Sequence, residues 1–265
     1  MKPLPAFDGY ADRYDQHFTA SAIGRAQRRQ VWRALLPCLK DRMDILELNC
    51  GTGEDAIRLA GAGHNVLATD LSEAMIRVAE AKKEAALPLP GLQFLQAGFQ
   101  GLPAILDGRR FDLIFSNFGG LNCISPEENR QLAGVLHGCL RPAGLLFLVL
   151  MSRCCWWERA YFFIKREAGK SSRRRGPGPV EARIGESSLN VWYYTPKEVE
   201  ALYAPGFRRE GLHPIGLFTP PSYLEPLFAR RQRWLSCLEK LDALLDFPYL
   251  AGRADHFAII LKKNA

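Results

Sequence analysis

The stretch that most constrains the fold is residues 44–53, DILELNCGTG. Apolar residues broken by Glu47 read as a buried strand, and Gly51-x-Gly53 turns it into Glu54-Asp55-Ala56 at the start of a helix. Glycines at such a turn let backbone pass close to a ligand, while the helix start offers unpaired amide donors. A nucleotide-like ligand is implied.

From that turn onward, short apolar runs alternate with amphipathic segments, as expected of strand-helix units around a mainly parallel sheet. Strands are expected at 45–50, 65–69, 92–96, 111–116 and 145–150, with helices at 54–62, 72–86 and 126–140. Ser72 and Ser125 are suited to cap two of these helices, and Pro126 follows the second cap. Upstream, residues 10–36 read as helical cover. Downstream the regular repeat stops: 155–168 is aromatic and helical, 169–179 is a Gly, Pro and Arg loop, and 180–194 is extended. A short helix at 195–203, a strand at 207–218, a long helix at 225–247 and a last strand at 257–262 complete the expectation. This is one domain over residues 1–265: a helical cover at 1–43, a cofactor-binding half at 44–151, a lid or substrate insertion at 152–206, and C-terminal strands with an inserted helix at 207–265.

About twenty residues past the first glycines, Asp70 ends the second strand, placed to accept hydrogen bonds from both ribose hydroxyls. Gly51-x-Gly53-x-x-Ala56 also fits a dinucleotide fingerprint, which leaves an NAD(P)-dependent oxidoreductase as an alternative. Glu47 and the polar Asn49-Cys50 favour another ligand, because a carboxylate beneath the glycine turn suits a cationic group better than a pyrophosphate.

Excess positive charge, +7, collects at residues 165–175 and 230–233 and permits an acidic partner. Seven cysteines lack paired spacing, so neither a disulfide framework nor a metal site is expected. No run reaches the roughly 18 apolar residues of a membrane span. Residues 1–14 lack an apolar stretch of signal-peptide type, and a cytoplasmic location is expected.

Residues 47–53 resemble the first motif of the class I S-adenosylmethionine-dependent methyltransferases, with Asn49 in place of that motif's first glycine. Asp70-Leu71-Ser72 resembles the second motif, 111–117 the fourth, and 140–144 the turn before the fifth strand; Tyr14-Asp15 is similar to an N-terminal helix of many small-molecule members. The resemblance implies a doubly wound, mainly parallel seven-stranded α/β sheet with its last strand antiparallel and insertions after strands 5 and 6. It also implies S-adenosylmethionine as cofactor, held by Tyr14, Glu47, Asn49, Cys50, Gly51, Gly53, Asp70, Leu71, Met75, Gly98, Phe99 and Asn117. After the third strand, Gln96-Ala97-Gly98-Phe99 lacks the acid that many relatives place at the adenine amino group.

The implied reaction is methyl transfer to an O or N atom of a small molecule, with an anionic or aromatic acceptor suggested by the basic and aromatic insertions. His213, His256 and Asn117 are the candidates for handling the acceptor, histidine because it titrates near neutrality. Asn117-Phe118-Gly119-Gly120 lacks the Pro-Pro-aromatic continuation of amino-methylating enzymes of DNA, which argues against nucleic acid as acceptor. A non-catalytic cofactor- or nucleic-acid-binding protein is a further alternative. Arg173, Arg174 and Arg175 are expected on a mobile loop that recruits a carboxylate or phosphate on the acceptor.

Overall fold

The apolar runs of the cofactor half form five parallel strands in a computed structural model, which describes residues 7–86, 88–106, 108–185 and 187–264. These strands are β1 (Asp44–Leu48), β2 (Asn65–Asp70), β3 (Leu92–Gln96), β4 (Phe111–Ser116) and β5 (Leu140–Met151). A small antiparallel hairpin follows, β6 (Val180–Ile184) and β7 (Ser187–Val191), and the chain then adds β8 (Phe207–Ile215) and β9 (His256–Lys263). Strand order in the main sheet is β3-β2-β1-β4-β5-β9-β8, and β9 runs antiparallel to both neighbours. The doubly wound seven-stranded sheet with its last strand reversed is therefore present.

Helices cover both faces because the parallel strands are apolar on both sides. Ile45, Val66, Leu113, Phe115, Phe147 and Val149 pack under Trp32, Leu35, Ala56 and Leu59. The alternating residues Leu46, Leu48, Ile114, Leu146 and Leu148 pack under Leu132, Leu136, Val199 and Tyr203. Local chemistry sets the helix starts. Ser72 accepts from the Met75 amide, while Ser125 with Glu128 and Thr195 with Glu198 form reciprocal capping boxes just before Pro126 and Pro196.

Two segments depart from the sequence expectation. The helix expected over 225–247 is broken into Glu225–Phe228 and Gln232–Leu244, with Arg231 outside helical geometry (φ −114°, ψ 45°). The basic loop is also tied down. Arg174 is buried, its guanidinium bonded to Glu158 and to Asp255 at 2.9 Å, and Arg173 makes two 2.9 Å bonds to Glu158. Two arginines expected to meet an acceptor instead neutralise buried carboxylates, since an ion left in the interior without a partner is costly. Residues 1–6 of the N-terminal stretch considered for a signal peptide lie outside the described residues.

Candidate functional site

Strand order reverses between β1 and β4, so their carboxyl ends open into a crevice, the usual ligand position in such sheets. Asn49, Gly51, Asp70, Met75, Asn117, Phe118, Gly119, Gly120, Cys123 and Met151 line it, together with Tyr14 and four hairpin residues.

The turn after β1 takes left-handed backbone at Asn49 (φ 47°), Gly51 (φ 54°) and Gly53 (φ 76°). Asparagine tolerates that region better than most side chains. Its amide also ties the two strand ends together, donating to the Asn117 carbonyl at 2.8 Å and accepting from Ser116 Oγ at 2.6 Å. The two glycines serve different ends. A Cβ at Gly51 would meet only Tyr14, 3.9 Å away, on the crevice side, whereas one at Gly53 would lie 2.6 Å from the Phe94 ring and 2.9 Å from Ala79. Gly51 leaves room for a ligand, and Gly53 permits close packing of helix on sheet. Cys50 is buried in the core beside them, and burial pushes its thiol well up.

Asp70 stands at the end of β2. Its Oδ2 accepts from the Gly51 amide and its Oδ1 from the Ser72 amide, each at 2.9 Å. Burial raises the carboxyl above its ordinary value, and those backbone donors act in the opposite direction. Each oxygen retains a lone pair for a further donor. Met75 is buried beside it, and Leu71 is exposed at the rim, next to the space a Cβ at Gly98 would occupy. Phe99 packs at the edge of the core and is outside the crevice lining.

Beneath the crevice lies a charged cluster that the sequence did not disclose. Asp55, in the first turn of the helix Glu54–Gly61, accepts from Trp32 Nε1 at 2.7 Å, from Asn117 Nδ2 at 2.8 Å, and from Arg28. Burial pushes Asp55 up, but the Arg28 guanidinium and these hydrogen bonds outweigh it and hold the carboxyl below its usual range. Glu47 has no comparable support: burial, then the Asp55 charge, drive it well above the ordinary value, and its Oε2 is buried without a hydrogen-bond partner. An acid on an amphipathic helix reads as surface charge, and nothing local to Arg28 or Asp55 signals that they meet.

Two covers close the crevice. Along the N-terminal segment, Asp15 accepts from Thr52 Oγ1 at 2.6 Å and pairs with Lys82 at 3.0 Å, and Asp8 accepts from Ser72 Oγ. These bonds set Tyr14 against Gly51, with Phe18 packed behind it. Opposite, the β6–β7 hairpin presents Ala182, Ile184, Leu189 and Val191 to the crevice, its intervening residues facing outward because strand side chains alternate.

Neither candidate histidine lines the crevice. His213 pairs with Asp246 at 2.8 Å on the edge strand β8. His256, beside Met151 in the β5–β9 register, lies behind Phe118 in an edge-to-face contact at 5.8 Å. Asn117 does reach the crevice, its side chain held between Asp55 and the Phe118 amide.

Residues 45–144 match a family model described as a methyltransferase domain. A ubiquinone/menaquinone biosynthesis C-methyltransferase of Acidiphilium cryptum is 32% identical over 156 residues, 57% of this chain and 59% of that protein. A tRNA 5-carboxymethoxyuridine methyltransferase of Escherichia coli is 27% identical over 147 residues, 54% and 55% of the two chains. The chain thus spans a little over half the length of the curated relatives it matches. Among solved structures, the CcbJ methyltransferase of Streptomyces caelestis superposes with a TM-score of 0.67 at 15% identity, covering 99% of each chain. A methyltransferase of Methanosarcina mazei gives 0.60 at 20% identity, covering 87% of this chain and 96% of that one. Residues 45–144 thus match a methyltransferase domain, and the sheet around them has the fold of solved S-adenosylmethionine-dependent methyltransferases.

Proposed function

We propose that this chain binds S-adenosylmethionine in the crevice and transfers its methyl group to an O or N atom of a small acceptor with an apolar body. The carrying observation is the make-up of the two walls. Gly51, Asp70 and Met75 form one, and the apolar side chains of the β6–β7 hairpin close the other. The residues present fit the cofactor: the space beside Gly51 is open, and the unpartnered Glu47 oxygen suits the neighbourhood of a cation far better than that of a pyrophosphate. Asp70 would take the ribose hydroxyls, Glu47 and the glycine turn the amino-acid end, and Met75 with Leu71 the adenine.

When bound, the cofactor supplies a methyl carbon on a positively charged sulfur, already activated for in-line displacement. What remains for the chain is to align the acceptor and exclude water. The hairpin and Tyr14 shield the crevice, while Asn117, fixed by Asp55, holds its floor rigid. Among the described residues no histidine lines the crevice, and an acceptor that enters already deprotonated, as a neutral amine or an ionised acidic hydroxyl, would need no base there.

Carbon methylation is the second reading, favoured by the 32% identity to a C-methyltransferase. The deciding experiment incubates the protein with methyl-labelled S-adenosylmethionine and fractions of a metabolite extract, with bulk tRNA in parallel, and locates the label by mass spectrometry. Label on O or N of a small apolar compound is expected. Label on carbon or in tRNA would replace that acceptor, and stabilisation by NADH without stabilisation by S-adenosylhomocysteine would overturn the cofactor.

A further inference from the structure

The segment Glu225 to Leu250 distributes its charge unevenly. Its four acids all face the protein. Glu225 accepts from the amides of Ala22 and Ile23, Glu239 pairs with Arg29 at 2.7 Å, Asp242 accepts from the amides of Phe218 and Thr219, and Asp246 pairs with His213. Its four cations, Arg230, Arg231, Arg233 and Lys240, are exposed, and none is paired with a carboxylate among the described residues.

Apolar side chains share that outer surface. On the helix Gln232–Leu244, Trp234, Cys237, Leu241 and Leu244 recur at spacings of three and four, so they form one stripe along the solvent side. Trp234 is 70% exposed and Leu244 74% exposed, and Tyr249, stacked on Phe247, extends the apolar surface past the helix at 76%. The opposite side carries buried Leu235 and Asp242, so the helix docks on the protein by that side and the stripe takes no part in the contact.

We infer that this face is a peripheral docking surface for an anionic lipid bilayer. A 13-residue helix is about 20 Å long, and no helix among the described residues is long and apolar enough to cross a membrane, so this one would lie in the interfacial plane. Aromatic and aliphatic side chains enter the headgroup boundary while the flanking cations meet lipid phosphates. Charge separates this occupant from a second copy of the chain. Pairing two such helices would bring Arg233 and Lys240 of both copies to one seam with no facing acid, whereas an anionic surface satisfies them.

The test is co-sedimentation of the full chain with phosphatidylcholine vesicles and with vesicles of phosphatidylcholine and phosphatidylglycerol in equal parts. Binding to the anionic vesicles alone, weakening as salt rises, is expected. Leu241→Glu with Leu244→Glu, and separately Arg230→Ser with Arg231→Ser, should each lower partitioning by roughly tenfold or more. Arg109→Ser with Arg110→Ser, removing equal charge from an exposed turn elsewhere, should preserve most of it. All six positions are exposed, so the variants should fold, which circular dichroism checks. The inference is overturned by absence of binding at low salt, by equal loss in the Arg109/Arg110 variant, or by retention of nucleic acid in place of vesicles. A dimer in sedimentation velocity that Leu244→Glu dissolves, without vesicle binding, would assign the face to a second copy.

Discussion

Asn49 occupies the space that any side chain at position 120 would need: a Cβ built on Gly120 falls inside contact distance of the Asn49 amide. The pair joins the ends of β1 and β4 at the crevice, where Asn49 replaces the glycine of the family motif. Gly120→Ala should displace Asn49, break its bonds to Ser116 and Asn117, and destabilise the protein by about 1–3 kcal/mol. Adding Asn49→Gly should recover much of that loss. Urea unfolding of the two single variants and the double variant measures the coupling, and strict additivity would show that the two residues do not interact.

The two turn glycines should separate binding from stability. Both have positive φ, so alanine at either costs about 1 kcal/mol of backbone strain. Gly53→Ala adds a clash with Phe94 and should lower the melting temperature further. Gly51→Val has space in the fold but fills the crevice, and should abolish binding of S-adenosylhomocysteine while the protein stays folded. Calorimetric binding beside thermal melts tests both.

Replacing Asp70 by Ala should weaken S-adenosylhomocysteine binding by about 1–3 kcal/mol through lost hydrogen bonds to the ribose. Titration calorimetry would give an unchanged dissociation constant in a folded variant if Asp70 lay outside the site.

For Glu47 the pH dependence has a definite sign. Burial raises its folded-state pKa above the ordinary carboxylate value, so the folded protein holds this proton more tightly than the unfolded chain does. Its contribution to stability is therefore complete below the unfolded pKa of about 4 and is lost as pH rises through the raised value. Glu47→Gln cannot titrate. The stability of the wild type relative to this variant should fall as pH rises above about 4 in urea unfolding, and a constant difference would show that Glu47 ionises normally. The variant should also bind S-adenosylhomocysteine less tightly.

Arg174→Met leaves Glu158 and Asp255 buried without their shared cation and should cost about 3–5 kcal/mol, whereas exposed Arg175→Ser should be nearly neutral. Denaturation midpoints compare them directly. Equal, small effects would return the loop to the mobile surface expected of its composition.

Local chemistry along the chain was enough to determine the order of strands and helices in the cofactor half, the capped starts at Ser72 and Ser125, the glycine turn, and Asp70 at the end of β2. Each depends on side-chain periodicity or turn geometry within a few residues, which a sequence displays directly. Tertiary structure alone decided which charges are buried and which surfaces enclose the crevice. Arg28 reaches Asp55 across 27 positions and Arg174 reaches Asp255 across 81, and before folding all four resemble ordinary solvated charge. The alternation in β6 and β7 predicts an apolar face, but its position over the crevice follows from long-range packing. Isolation in a low-dielectric interior selects partners by proximity in space, and that proximity is created only when the sheet assembles.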